Sequence, residues 1–100
     1  EQVEPVFNVH PDVKRTALVG DGAPGAQRPV LCVEANPGVA RGEHARIERE
    51  LRAIGARFAH TALIEHFAFH PRFPVDIRHN AKIGREALAQ WAARHFGDTP

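Results

Sequence analysis

The sequence predicts a small α+β domain in which a three-stranded sheet has flanking helices. Two short apolar runs, at 16–19 and 30–33, lie on either side of a segment rich in glycine and proline, which is typical of two antiparallel strands and their turn. A run with helical spacing follows at 43–58, and a third strand-like run rich in Ile and Phe follows at 63–69. We expect the third strand to return to the first two over the middle helix, which makes the chain one domain.

The first predicted helix is short. Val3, Val6 and Phe7 fall at positions i, i+3 and i+4, which places them on one face of about two helical turns. We expect this helix to end near Asn8, because Pro11 cannot continue it.

The middle helix, at 43–58, has the clearest helical pattern in the sequence. Its apolar residues recur at spacings of four, three and four, as on the buried face of an amphipathic helix: Ile47, Leu51, Ile54 and Phe58. The other face is charged, and it holds two pairs of opposite charge four residues apart, Arg46 with Glu50 and Glu48 with Arg52. Such pairs stabilise a helix only slightly, so we interpret this face as a solvated surface.

The last predicted helix begins after Asn80, which can cap it, and frays beyond Gly97. Its inner stripe is expected to hold Leu88, Trp91, Ala92 and either His95 or Phe96. We expect one core that contains Leu18, Leu31, Ile47, Leu51, Ile54, Ile64, Phe67, Leu88 and Trp91.

Composition excludes several classes of protein. A formal net charge of +1 without a basic block gives no footprint for nucleic acid. Cys32 is the only cysteine, so an intrachain disulfide is impossible and the cytoplasm is the expected compartment. No apolar run reaches the roughly 18 residues of a membrane span. Because the chain begins at Glu1 and has no methionine, we expect it to be part of a longer enzyme.

Histidines and the cysteine are weak candidates for chemistry. Four of the seven histidines lie between residues 60 and 79, but on an extended strand His66 and His70 would stand ~13 Å apart, too far to share one ion. We therefore predict no metal site. Cys32 lies in an apolar strand with no activating group beside it, so we expect it to act as a small hydrophobic residue.

Lys82 is a stronger candidate, because prolines and small residues surround it in the segment 73–85 and a helix follows directly. The chain has eleven arginines and two lysines, which suggests that a compact ammonium group is needed at this position. A lysine on a loop beside a helix start can reach a phosphate or a carboxylate. A solvated surface lysine remains the alternative on composition alone.

These segments together resemble the C-terminal domain of the adenylate-forming superfamily, which includes acyl-CoA synthetases, peptide-synthetase adenylation domains and luciferases. Residues 3–13 are similar to the family's helix entering the first strand of this domain, and 16–20 to that strand. Residues 73–88 resemble the final motif, although Asn80-Ala81 stands where Ser-Gly is usual, and the catalytic lysine falls on Lys82. The string 79–83, with its following helix, looks like the branch of bacterial olefin β-lactone synthetases.

The resemblance implies that residues 1–100 are a C-terminal lid domain and that a large N-terminal domain outside this chain binds MgATP and the acyl substrate. Lys82 would bridge the substrate carboxylate and the α-phosphate of ATP, as the one catalytic and ATP-contacting residue of the lid. The implied reaction is the adenylation of a long-chain 2-alkyl-3-hydroxy acid and its closure to a β-lactone, in olefin and long-chain hydrocarbon biosynthesis. Further enzymes of that biosynthesis are possible partners, and the isolated lid should be inactive.

Two other functions stay open from the sequence. The parent could be an acyl- or aryl-CoA ligase or a peptide-synthetase adenylation domain, which passes the acyl group to a thiol. The chain could also be a non-catalytic binding module in which Lys82 is a surface charge.

Overall fold

The computed structural model describes residues 2–21, 28–76 and 82–96. For Lys82 and four other residues at the ends of elements it describes the backbone only. The helices are α1 (Glu4–Phe7), α2 (His44–Gly55), α3 (Ala59–Ala62) and α4 (Arg85–Phe96), and a 3₁₀ turn, Arg41–Glu43, leads into α2. The strands are β1 (Val13–Asp21), β2 (Arg28–Ala35), β3 (His66–Phe69), β4 (Val75–Asp76) and β5 (Lys82–Ile83).

The main sheet has the three strands that the sequence predicted, and their order is β1-β2-β3. β1 and β2 are antiparallel, with Leu18 opposite Leu31, so the predicted strand pair is confirmed. β3 runs parallel to β2, with Leu31 opposite Phe67. Because β2 and β3 are parallel, the chain must cross over between them, and α2 and α3 form that crossover.

Apolar residues pack on both faces of this sheet, so the prediction of one common core is wrong. Residues of β2 alternate between two clusters, as successive side chains of a strand must. Leu31 and Val33 join the first cluster, and Val30 and Cys32 join the second. The first cluster also contains Phe7, Val13, Ile47, Leu51, Ile64 and Phe67. The second contains Ala17, Val19, Ala68, Phe73, Leu88 and Ala92.

Six of the nine predicted core residues are buried, and the other three, Leu18, Ile54 and Trp91, are partly buried against the clusters. In α4 the predicted inner residues Leu88 and Ala92 are buried, whereas His95 is exposed. The predicted cap Asn80 lies outside the described residues.

The middle of the chain differs from the prediction at two boundaries. α2 ends at Gly55 rather than near Phe58, which is 47% exposed, and the third strand begins at His66 rather than at Leu63, which is 79% exposed. Thr61 Oγ1 donates a hydrogen bond of 2.6 Å to the Gly55 carbonyl, and this bond holds α3 against the end of α2. The apolar pattern could not show this turn, because Phe58 and Leu63 are apolar residues that the fold leaves exposed.

The charged face of α2 forms as predicted. Arg46 Nη1 lies 2.8 Å from Glu50 Oε1, and Arg52 Nη2 lies 2.9 Å from Glu48 Oε2. Glu50 also accepts a hydrogen bond from His10 Nε2 at 2.7 Å, so the charged face extends to the segment before β1.

Candidate functional site

The backbone of Lys82 lies in a short strand rather than in the loop that the sequence predicted. β5 pairs antiparallel with β4, where Lys82 is opposite Asp76 and Ile83 is opposite Val75. The Gly84 amide then donates a hydrogen bond of 2.8 Å to the Pro74 carbonyl, which continues the pairing. The residue predicted to be catalytic therefore has a defined backbone position, while its side chain lies outside the described part of the structure.

α4 begins directly after this small sheet. Its first turn closes where the Leu88 amide donates to the Gly84 carbonyl at 3.0 Å. Leu88 is fully buried against the main sheet. The burial of α4 thus fixes the position from which β5 extends.

A polar tether links the start of α4 to the opposite end of the chain. Arg85 Nη1 lies 3.2 Å from Glu4 Oε2 and 3.4 Å from the Leu18 carbonyl, to both of which it donates. The same Glu4 oxygen accepts a hydrogen bond from the Leu18 amide at 3.0 Å. The Glu4 carboxylate and the Leu18 carbonyl thus hold Arg85 against β1. Arg85 follows Lys82 by three residues.

The electrostatics of the tether favour an ionised carboxylate. Burial acts to raise the pKa of Glu4, but the hydrogen bond from the Leu18 amide and the charge and hydrogen bond of Arg85 bring that pKa below its ordinary value. Glu4 is therefore an anion throughout the neutral range, and it can hold the Arg85 guanidinium.

A second polar centre, Glu34, lies at the end of β2. Its Oε1 accepts a hydrogen bond from Arg15 Nε at 2.7 Å and another from the Phe73 amide at 2.9 Å. Lys14 Nζ lies 3.5 Å from its other oxygen. Burial acts to raise the pKa of Glu34, but the Phe73 amide and the two cations lower it overall. This buried carboxylate fixes the loop between β3 and β4 to the main sheet.

Glu34 is also part of the wall of an open cleft of about 650 Å³. The other walls come from Lys14 of β1, the segment 35–39 at the end of β2, the 3₁₀ turn before α2, the end of β3 and one side of α4. Arg85 is not among the described residues that line this cleft.

Histidines and aromatic rings stack within this cleft. The rings of His44 and Phe69 are nearly parallel, with their centroids 4.1 Å apart. The ring centroid of Trp91 lies 4.7 Å from that of His70 and 5.3 Å from that of His95. No group of three His, Cys, Asp or Glu side chains within 2–21, 28–76 and 82–96 is arranged to hold a metal ion.

Cys32 is buried in β2, as the sequence predicted, and burial raises the pKa of its thiol to about 11. The thiol is therefore protonated at neutral pH and packs as a small hydrophobic group. No helix in the described part of the chain has the length and apolar character needed to cross a membrane.

The catalytic role of Lys82 stays a prediction, and the sequence did not indicate the contacts of Glu4, Arg85 and Glu34. Glu4 and Arg85 are 81 residues apart, and no local pattern relates one to the other. Glu34 follows an apolar strand and so could be placed at its end, but its contact with Phe73 depends on the return of β3 to the sheet.

The chain is similar in sequence to two curated proteins named olefin β-lactone synthetase. It is 67% identical over 94 residues to the protein of Xanthomonas campestris pv. campestris, and 58% identical over 93 residues to that of Stenotrophomonas maltophilia. The matches cover 94% and 93% of this chain but only 17% and 16% of those proteins. The chain therefore corresponds to about a sixth of the length of these relatives. No protein-family model matches it.

Solved structures show the same fold. A Brucella canis acyl-CoA synthetase superposes with a TM-score of 0.71 at 21% identity, and a Mycobacterium tuberculosis fatty acyl-CoA synthetase with a TM-score of 0.68 at 19% identity. Each match covers 92% of this chain and 17% of the other. An amide bond synthetase of Marinactinospora thermotolerans matches with a TM-score of 0.65 at 22% identity. The chain is thus similar in sequence to about a sixth of two olefin β-lactone synthetases, and similar in fold to a part of acyl-CoA synthetases.

Proposed function

We propose that this chain is the C-terminal lid of an ATP-dependent ligase that converts a long-chain 2-alkyl-3-hydroxy acid into a β-lactone. The observation that carries the proposal is the 67% identity to an olefin β-lactone synthetase over nearly the whole chain. The large N-terminal domain of the parent would bind most of the ATP, the Mg²⁺ and the acyl chain. Such a reaction would take place in the cytoplasm as a step of olefin biosynthesis.

Lys82 is the residue of this chain that would act on the reacting groups. In the first half-reaction the substrate carboxylate attacks the α-phosphorus of ATP, and pyrophosphate leaves. Negative charge gathers on the oxygens around that phosphorus, and a fixed ammonium group close to them lowers the energy of the transition state. The pairing of β5 with β4 and the Gly84–Pro74 hydrogen bond support this role, because they hold the backbone from which the ammonium group extends.

The second half-reaction needs no thiol. The 3-hydroxyl of the substrate attacks its own acyl carbon, the bond to AMP breaks, and the hydroxyl proton leaves as the four-membered ring closes. A nucleophile on the same molecule replaces a bimolecular capture by an intramolecular one. The lid would present Lys82 for adenylation and withdraw it afterwards, as lid motions do in many enzymes.

An acyl- or aryl-CoA ligase, or a peptide-synthetase adenylation domain, is the second candidate. The folds of two acyl-CoA synthetases favour it, but at 21% and 19% identity they reflect the shared domain rather than the acceptor. The parent enzyme should be incubated with ATP, Mg²⁺ and a 3-hydroxy fatty acid, with and without CoA. We expect a β-lactone in both reactions. A thioester that forms only with CoA would refute the lactone proposal and support the ligase.

A non-catalytic binding module is the third candidate, in which Lys82 is a surface charge. In that case the parent would release no pyrophosphate from ATP in the presence of any fatty acid. The isolated chain should release none under either hypothesis, so the full-length parent is the protein to assay.

A further inference from the structure

The cleft beside Glu34 holds functional groups that the proposed adenylation does not use. It opens between the start of α2, the end of β3 and one side of α4. We propose that this cleft is a binding site for a phosphate-bearing anion, with Arg41 and Arg72 as its principal ligands.

The charge of the cleft favours an anion. Glu34 is the only carboxylate among the described residues that line it. Arg15 and Lys14 already lie 2.7 Å and 3.5 Å from its two oxygens, so this carboxylate is neutralised in place. The remaining arginines of the wall, Arg41 and Arg72, therefore leave the cleft with an excess of positive charge.

Arg41 and Arg72 differ from several other arginines of the fold in their lack of a carboxylate partner. Both are exposed, and within 2–21, 28–76 and 82–96 neither guanidinium has an ion pair. In contrast, four arginines elsewhere lie within 3.2 Å of carboxylate oxygens: Arg15, Arg46, Arg52 and Arg85. The N–H groups of Arg41 and Arg72 are thus available to a ligand at the mouth of the cleft.

Two histidines add neutral donors beside the arginines. Burial lowers the pKa of His44, and the positive charge of Arg41 lowers it further. Burial also lowers the pKa of His70, although the negative charge of Glu34 acts to raise it. His70 Nδ1 accepts the Arg72 amide hydrogen at 3.1 Å, so the proton of the neutral ring lies on Nε2. A neutral imidazole can donate to an anion without repelling the neighbouring guanidinium groups.

Phosphate fits this donor set better than a carboxylate does. Each guanidinium presents paired N–H groups in a planar fork. The two oxygens of one carboxylate form a bidentate pair with one such fork, so two guanidinium groups offer more N–H donors than one carboxylate accepts in this way. A phosphate group has three terminal oxygens and a larger charge. The positive end of α2, which begins at His44 directly after the turn that holds Arg41, acts in the same direction.

Trp91 makes the proposal easy to test. It is the only tryptophan of the chain and it lines the cleft, so its fluorescence reports on a ligand there. The chain should be titrated with inorganic pyrophosphate at constant ionic strength. We expect a saturable change in fluorescence with a dissociation constant below about 1 mM. Isothermal titration calorimetry should give the same constant.

Variants then assign the binding to the two arginines. Arg41→Gln and Arg72→Gln should each weaken pyrophosphate binding by about tenfold, because each removes charged hydrogen bonds. Arg49→Gln is the matched control, since Arg49 is exposed on α2 but does not line the cleft, and it should leave the constant unchanged. Succinate, a dicarboxylate, should bind at least about tenfold more weakly than pyrophosphate.

Three results would overturn the site. The first is the absence of saturable binding by both fluorescence and calorimetry. The second is an equal weakening by Arg49→Gln, which would show general attraction of anions to a basic surface. The third is succinate binding as tight as that of pyrophosphate. None of them depends on Lys82, so the proposed adenylation can stand or fall separately.

Discussion

Arg85 and Glu4 lie 81 positions apart in the chain, and their side chains meet at 3.2 Å. Arg85 also reaches the carbonyl of Leu18, and Glu4 accepts the amide hydrogen of the same residue. The first residue of α4 is thereby tied to α1 and to β1. Because Lys82 precedes Arg85 by only three residues, the tether limits where the β5 strand can lie.

A double-mutant cycle measures this tether. Glu4→Gln keeps an acceptor for the Leu18 amide but removes the charge that Arg85 contacts, and Arg85→Gln removes the cation. We expect each change to lower the free energy of unfolding by about 0.5–1 kcal/mol, with a coupling of similar size, since Arg85 is half exposed. Urea denaturation gives these values. Additive losses, with no coupling, would show that the two side chains do not interact.

The tether should also affect the proposed reaction. In the full-length parent, Glu4→Gln and Arg85→Gln should lower the rate of pyrophosphate release by similar factors, and the double variant should lose little more than either. Glu65→Gln is the control, because Glu65 is exposed and directly precedes β3. A rate that falls with Glu65→Gln as much as with Glu4→Gln would contradict a positioning role.

Gly55 is required by the packing of α1. A Cβ placed there would lie 2.8 Å from Cζ of the fully buried Phe7, which is closer than real contacts allow. Gly55→Ala should therefore lower the free energy of unfolding by about 1–3 kcal/mol, despite the better helix propensity of alanine. Gly42→Ala, where a Cβ meets nothing within 4 Å, should be neutral or slightly stabilising. Equal effects at the two glycines would show that Phe7 does not pack on Gly55 as described.

The ionisation of Glu34 should make stability depend on pH. Its pKa in the folded chain is below the ordinary value of 4.5, so its contribution is complete above about pH 5 and is lost as the pH falls through the folded value. Glu34→Gln should lower the free energy of unfolding by about 1–2 kcal/mol at pH 7 and by progressively less below pH 4.5. A difference from the wild-type chain that stays constant between pH 7 and pH 3 would contradict this.

Local patterns predicted the three strands of the main sheet and the helices α1, α2 and α4, but not α3, the β4–β5 pair or the division of the core. The spacing of Ile47 and Leu51 correctly placed the buried face of α2, and β1 and β2 could be paired across their glycine-rich turn. In contrast, successive residues of β2 belong to the clusters on opposite faces of the sheet, so that Leu31 packs in the first cluster and Cys32 in the second. An apolar run such as 30–33 has no polar residue to mark which side faces which helix.

The candidate site was predictable only where its residues are adjacent in sequence. Lys82 was predicted to be catalytic from its neighbours in the segment 73–85, and that role stays a prediction. Its strand pairing with Asp76 was not predicted, because two-residue strands carry no periodic signal. The cleft was missed for a different reason: Arg41 and Arg72 come to the same cleft only through the parallel return of β3.

Pyrophosphate release by the full-length parent with ATP, Mg²⁺ and a 3-hydroxy fatty acid tests the proposed role of Lys82 most directly. Lys82→Ala should lower this rate by about 10²-fold or more, because it removes positive charge from the transition state, and it should leave the melting temperature unchanged. Lys14→Ala, which alters the only other lysine, is the control and should retain the rate. A Lys82→Ala enzyme that releases pyrophosphate as fast as the wild type would contradict the central claim.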